Sequence, residues 1–130
     1  MKNKNQRLAC IDIGSNAIKY RQYRISTKKR KVFAELDTFK RISVRLGTDA
    51  FKFKKISSET EQKLLESIIK LKDKADKKDI KIISGVATSA MRTVSNGHKI
   101  WKKITKKTKI EIKILSGNEE AQLLNFFNYK

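Results

Sequence analysis

Three short stretches carry residue types that could handle a phosphate and a water. The first is Asp12-Ile13-Gly14-Ser15-Asn16. Gly, Ser and Asn all favour turns, each for its own reason. Gly14 lets the backbone come close to a ligand, and successive N–H groups in such a turn can point at one anion. Asp12 sits near the end of an apolar run, where a carboxylate needs a partner, a metal or a water to orient. An ordinary hairpin in which Asp12 bonds its own turn accounts for the same residues, so both readings stand on this stretch alone.

The second stretch is Thr88-Ser89-Ala90-Met91-Arg92. If Thr88 or Ser89 caps a helix, Arg92 falls in its first turn, where a cation opposes the helix dipole by about 0.3–1 kcal/mol. An anion bound at that terminus would reverse the sign. Arg92, the two hydroxyls and the N–H groups would then hold one phosphate together. The bland alternative is an exposed arginine reaching water. The third stretch is Ser116-Gly117-Asn118-Glu119-Glu120. Ser116 and Glu119 have capping-box spacing, which gives Glu119 a structural job. Glu120 lies one position further round and is the candidate general base on water. Both carboxylates also suit a helix start electrostatically.

The elements that must position these residues follow from pattern. Leu8–Ile13 and Ala17–Ile25 read as two strands of a hairpin. Val32–Val44 reads as a third strand, bulged near Asp37-Thr38, with Arg45-Leu46-Gly47 ending it and Gly47 as the breaker. Thr48–Ile56 is expected as a loop, with Phe51 and Phe53 packed over the sheet. Ser58 and Glu61 have capping-box spacing and open the clearest helix, with Leu64, Leu65, Ile68, Ile69 and Leu71 on its apolar face. It should end near Lys77-Lys78. Ile80–Val86 reads as a buried strand and Ala87–Val94 as a short helix. Asn96-Gly97 punctuates, and a further helix to about Lys107 should bury Ile100, Trp101 and Ile104. Ile110–Leu115 is a strand, and Ser116 starts a last helix through about Phe127. The result is an α/β fold of order βββαβαβα, with a mixed five-stranded sheet and helices on its faces. The second and third stretches then follow the carboxyl ends of strands parallel to the first. Ligands bind at those ends in open α/β sheets.

Length and composition bound the partners. A chain of 130 residues suits one domain, and a domain of that size buries roughly two thirds of its unfolded surface. Hydrophobic residues make up 38% and charged residues 35%, with a net charge of +19. That excess points to a polyanion: nucleic acid, an acidic membrane surface or a phosphate-rich substrate. A surplus of Lys over Arg, with no Pro, is also what an AT-rich coding bias would produce. Cys10 is the only cysteine, which excludes an internal disulfide and a Cys-rich metal site; it is expected in the core. Met1–Arg7 is basic but no long apolar region follows, and no run approaches the roughly 18 apolar residues of a membrane span. The expectation is a soluble, cytoplasmic protein with no membrane partner.

Taken together, the segments IDIGSNAIKY (11–20), GVATSAMRTVSNG (85–97) and ILSGNEEAQLL (114–124) resemble the exopolyphosphatase/guanosine pentaphosphate phosphatase (Ppx/GppA) family, with VRLG (44–47) a weaker fourth. Their order and spacing agree with that family across essentially the whole chain. The resemblance implies the first lobe of the ribonuclease H-like, actin-like ATPase superfamily. It implies hydrolysis of a terminal phosphoanhydride, in inorganic polyphosphate or guanosine pentaphosphate, with Mg²⁺. Glu120 matches the family's catalytic glutamate, Arg92 a phosphate-binding arginine, and Asp12, Gly14, Ser15 and Asn16 its first phosphate loop. Thr88 and Ser89 fall in the second segment, and Arg45 in VRLG could contact substrate. Lys19-Tyr20 departs from the family's Arg-Leu type pair, and Thr48-Asp49 follows Gly47 where the family often has a second Gly. The family's second phosphate loop, Asp-x-Gly-Gly-Gly-Ser, does not occur in these residues. The expectation is therefore an N-terminal lobe over residues 1–130, incomplete or inactive alone, its Mg²⁺ ligands mostly in the other lobe. That lobe would come from a separate chain, or a second copy would cover the open face. The alternative is a non-catalytic basic module for polyphosphate or nucleic acid. A kinase-type or actin-type nucleotide lobe is a third reading, against which SGNEEA argues.

Overall fold

A computed structural model of the chain describes residues 6–119 and 121–122, apart from the side chains of Ile83 and Ser89. Its strands are β1 (Gln6–Ile13), β2 (Ala17–Lys28), β3 (Lys31–Ser43), β4 (Lys81–Ala87) and β5 (Ile112–Ile114). Its helices are α1 (Leu46–Phe53), α2 (Ser58–Lys77), α3 (Ser89–Thr93) and α4 (Gly97–Thr108). The sheet order is β3-β2-β1-β4-β5. The β1–β2 and β2–β3 pairs are antiparallel, and the β1–β4 and β4–β5 pairs are parallel. This is the mixed five-stranded sheet that the pattern predicts.

Alternation decides which side of the sheet is core. Ala9, Ile11 and Ile13 of β1 are buried, and across β2 they face Gln22, Tyr20 and Ile18, also buried. The crossovers β3–α2–β4 and β4–α4–β5 move the same way across the sheet. Right-handedness therefore puts α2 and α4 on one face. There Leu64, Ile68, Leu71 and Ala75 of α2 and Ile100 and Ile104 of α4 complete the core. Glu61 and Lys103 join the two helices by an ion pair of 2.9 Å.

The predicted bulge is present. Gln22 pairs with Thr38 and Tyr23 with Leu36, which leaves Asp37 as the extra residue. A bulge re-aims a side chain, and Asp37 accepts hydrogen bonds from Gln22 Nε2 at 2.7 Å and Arg24 Nη2 at 3.3 Å. Tyr20 in turn donates to Gln22 Oε1 at 2.9 Å. Burial first, and then the Asp37 charge, raises the Tyr20 pKa above its ordinary value.

Several expectations are corrected. Residues Leu46–Phe53 form α1 rather than a loop. Gly47, expected as the breaker that ends the third strand, lies inside that helix, and β3 ends earlier, at Ser43. Phe51 and Phe53 are 90% and 68% exposed, so they do not pack over the sheet; α1 turns them outward. The cap of α2 is Ser57, not Ser58: Ser57 Oγ accepts the Thr60 N–H at 3.2 Å. Trp101 is half-buried at the margin of the core, its Nε1 donating to His98 Nδ1 at 2.9 Å. Cys10 is half-buried on the face of the sheet opposite Ile11. Gly97 begins α4 because the helix passes too close to α3 for a side chain: a Cβ there would stand 2.3 Å from the Met91 carbonyl oxygen. Among the described residues no helix is long and apolar enough to cross a membrane.

Candidate functional site

The turn after β1 is built from the backbone outward. Gly14 N–H donates to Ala17 O at 3.0 Å and closes it. The carbonyl of Ser15 accepts the Gly47 N–H at 2.8 Å, and that of Asn16 accepts the Val44 N–H at 3.1 Å. Both carbonyls thus face the β3–α1 link. In a trans peptide N–H and C=O point opposite ways, so the N–H of Asn16 is turned away from Gly47, where it can meet an anion. Gly47 matters to this arrangement: a Cβ there would lie 3.1 Å from Ser15 Cβ. Its missing side chain lets α1 start against the turn. Asn16 is exposed on the crest and Arg45 is exposed one residue before α1.

Asp12 is half-buried next to this turn, between Lys19 of β2 and Val86 of β4 in the sheet register. The next residue, Ile13, offers its carbonyl to Thr88, which donates from N at 3.1 Å and from Oγ1 at 3.5 Å. The end of β1 and the start of α3 are therefore fastened together. Thr88 does not cap α3 with its side chain, and Ser89 is the first residue of the helix.

Arg92 corrects the dipole expectation. α3 is only five residues long and Arg92 lies in its last turn, where a cation suits the helix dipole. Its Nη1 donates to the Leu115 carbonyl at 2.8 Å. The Leu115 N–H donates to Ala87 O at 2.8 Å. These contacts bring the turn after β5 beside α3. In that turn the capping box is reciprocal, as its spacing predicts. Glu119 N–H donates to Ser116 Oγ at 3.1 Å, and Ser116 N–H donates to Glu119 Oε1 at 3.2 Å. Glu119 also pairs with Lys113 at 2.7 Å. The Lys113 contact and then the Ser116 backbone bond hold its pKa below the ordinary carboxylate value. Glu120 lies outside the described residues.

The backbone thus gathers the ends of β1, β4 and β5, with the start of α1, at one edge of the sheet. Asp12, Gly14, Ser15, Asn16, Arg45, Thr88, Ser89 and Arg92 all belong to segments of this rim. Two anchors escaped the sequence reading. Gly47 was expected only to end a strand, and the glycine of VRLG was its one signal. Asn96 was expected only to punctuate. Its side chain in fact accepts the Ile56 N–H at 3.0 Å and donates to the Ile56 carbonyl at 2.9 Å, clamping the α1–α2 link. A cleft of about 710 Å³ lies beside that clamp, lined by Phe53, Ile56, Ser95 and Lys99, and no predicted site residue borders it. Among the described residues no three His, Cys, Asp or Glu side chains gather where they could hold a metal ion.

Residues 25–126 match the Ppx/GppA phosphatase family. The bifunctional 3-dehydroquinate synthase/phosphatase of Fusobacterium nucleatum subsp. nucleatum is 32% identical over 125 residues, covering 94% of this chain and 18% of that protein. Among solved structures, an exopolyphosphatase from Cytophaga hutchinsonii superposes with a TM-score of 0.79 at 24% identity, covering 91% of this chain and 36% of that one. A Ppx/GppA family member from Aquifex aeolicus gives 0.75 at 18% identity, covering 86% and 35%. The chain therefore spans about a third of the length of these solved relatives and under a fifth of the curated one. The fold they share with it is α/β, a mixed five-stranded sheet with helices in the order described above.

Proposed function

The chain belongs to the Ppx/GppA phosphatase family, and from that premise we propose that it is the phosphate-gripping N-terminal lobe of a phosphoanhydride hydrolase. The observation that carries the reading is the rim. Hydrogen bonds from Gly47 to Ser15, from Thr88 to Ile13 and from Arg92 to Leu115 tie four distant segments of the chain into one edge. Gly14, Ser15 and Asn16 would cradle a terminal phosphate through the turn, the Asn16 N–H and side chain facing the anion. Arg92 and the Thr88 and Ser89 hydroxyls would flank it, Asp12 would orient a water or a hydrated cation, and Arg45 would meet the rest of the substrate. Glu120 would take the proton of the attacking water. The substrate class is a polyphosphate or guanosine pentaphosphate.

Turnover needs donors on both sides of the developing charge. We place the second set, with most Mg²⁺ contacts, on a second lobe that these residues do not include. Bound Mg²⁺ would neutralise phosphate charge. The test pairs this chain, in trans or as a fusion, with the C-terminal portion of a two-lobed relative and reads phosphate release from polyphosphate and from guanosine pentaphosphate. Release should appear on pairing, vanish in Glu120→Gln with binding retained, and fall in Arg92→Ala through weaker binding. No release with any pairing or either substrate would remove the hydrolase reading. The second reading, a non-catalytic polyanion-binding module, is favoured by the net charge of +19.

A further inference from the structure

The β2–β3 ribbon breaks two local rules at its tip. Lys28, Lys29, Arg30 and Lys31 are consecutive and exposed, and Lys28 stands directly opposite Lys31 in the pairing. Like charges directly opposite one another destabilise a ribbon. Lys29 and Arg30 both adopt positive φ, 49° and 65°, in a two-residue turn where Asn-Gly is the usual pair. Among the described residues no carboxylate forms an ion pair with any of the four. Behind the tip, one face of the ribbon carries exposed apolar side chains: Val32 at 70%, Leu36 at 53% and Phe39 at 48%. Tyr23 lies opposite Leu36, and Arg21 stacks over the Phe39 ring at 5.4 Å. Arg41 and Lys19 follow on the same face.

We propose that this face and its basic tip bind single-stranded nucleic acid. Two rings, Tyr23 and Phe39, lie on an extended strip with cations at the tip and at Arg21, Lys19 and Arg41, which suits a polymer of phosphates and flat bases. An inserting membrane loop would lead with apolar side chains, whereas here the leading end is four cations. A second copy of the chain would bring Arg21 and Arg41 against their own kind. β2 runs from the phosphate turn to the tip, so the basic tip lies about 36 Å from the rim. The proposal does not rest on the hydrolase reading.

The test is fluorescence anisotropy of labelled 12-nucleotide oligo(U) and oligo(dT) titrated with the 130-residue chain from 50 to 200 mM salt. Binding of either oligomer is expected, and the pair of oligomers separates RNA from DNA as the source. The double variant Lys29→Asn/Arg30→Gly supplies the preferred turn pair, so the hairpin should keep its fold. It should flatten the slope of log affinity against log salt by about 1.4, at about 0.7 per lost contact. Phe39→Leu keeps apolar volume but loses the ring, and should weaken binding about fivefold or more, while Phe39→Tyr holds it. Lys106→Asn/Lys107→Asn removes the same charge from α4 and should change the slope less. An equal change there, unaltered binding in Phe39→Leu, or binding confined to vesicles of three parts phosphatidylcholine to one part phosphatidylglycerol would overturn the proposal. Phosphate release by the paired lobes is expected to be unchanged in the ribbon variants, so the two readings fail separately.

Discussion

The carboxylate of Asp49 accepts the backbone N–H of Ser57 at 2.8 Å and so ties α1 to the residue that caps α2. That bond is the main cause of its lowered pKa, with Ser57 and Thr60 side-chain bonds and Lys52 adding to it against a desolvation cost. The linkage sign follows from the direction. A carboxyl whose folded pKa lies below its unfolded one adds stability at neutral pH, and that contribution is lost as pH falls through the folded value. Asp49→Asn should therefore lower Tm at pH 7. The gap to wild type should close as the pH drops below about 4, the unfolded value. Thermal denaturation of both proteins between pH 7 and pH 3 checks this, and a gap constant with pH would assign the effect to packing. Arg92 teaches a related lesson. Its type announced an anion site, but its Nη1 donates to the Leu115 carbonyl of its own chain. A guanidinium has five N–H donors, so bracing Leu115 and facing a ligand are roles one side chain can combine.

α2 carries the clearest element-scale prediction. Leu64, Ile68 and Leu71 of its apolar stripe were evident from spacing and Ala75 extends it, yet the cap lies one residue before the expected one. Ser57 and Ser58 are both serines with a hydroxylated or acidic residue three positions on, so local pattern allows either. Asp49 on the Ser57 N–H breaks the tie, and Asp49 belongs to another helix. Ser57→Ala should cost about 1 kcal/mol and Ser58→Ala less than about 0.5 kcal/mol. Urea denaturation distinguishes them, and equal losses would reject Ser57 as the cap. α1 was missed for a similar reason. Gly47 near its start lowers local helix propensity, and the fit against Ser15 that makes glycine useful there is visible only once the turn after β1 meets the start of α1.

At the scale of the molecule, charge is the dominant burden. A net charge of +19 on 130 residues makes the compact state repel itself. Raising NaCl from 10 to 150 mM shortens the screening length from about 30 to about 8 Å. Tm should rise with salt, by about 4 °C for each kcal/mol of repulsion relieved. A flat response in scanning calorimetry would mean that the local ion pairs, such as Glu61–Lys103 and Lys113–Glu119, already balance the field. The same field favours a polyanion at either end of the sheet, the phosphate rim or the basic ribbon.

Strand number, sheet type, the Asp37 bulge, the stripe of α2 and the Ser116–Glu119 box were legible in the residues alone. Each depends on neighbours in sequence: alternation of apolar side chains, period-3.6 spacing, or a cap three residues from its partner. The motifs at 11–20, 85–97 and 114–124 pointed to a family in the same way. Tertiary structure decided the rest. It placed most of the expected 48–56 loop in a helix, Leu46–Phe53, moved the cap to Ser57, turned Phe51 and Phe53 outward, and set Arg92 against Leu115. Those outcomes depend on hydrogen bonds and close contacts between residues far apart in the chain, for which local propensity carries no signal until the sheet has brought them together.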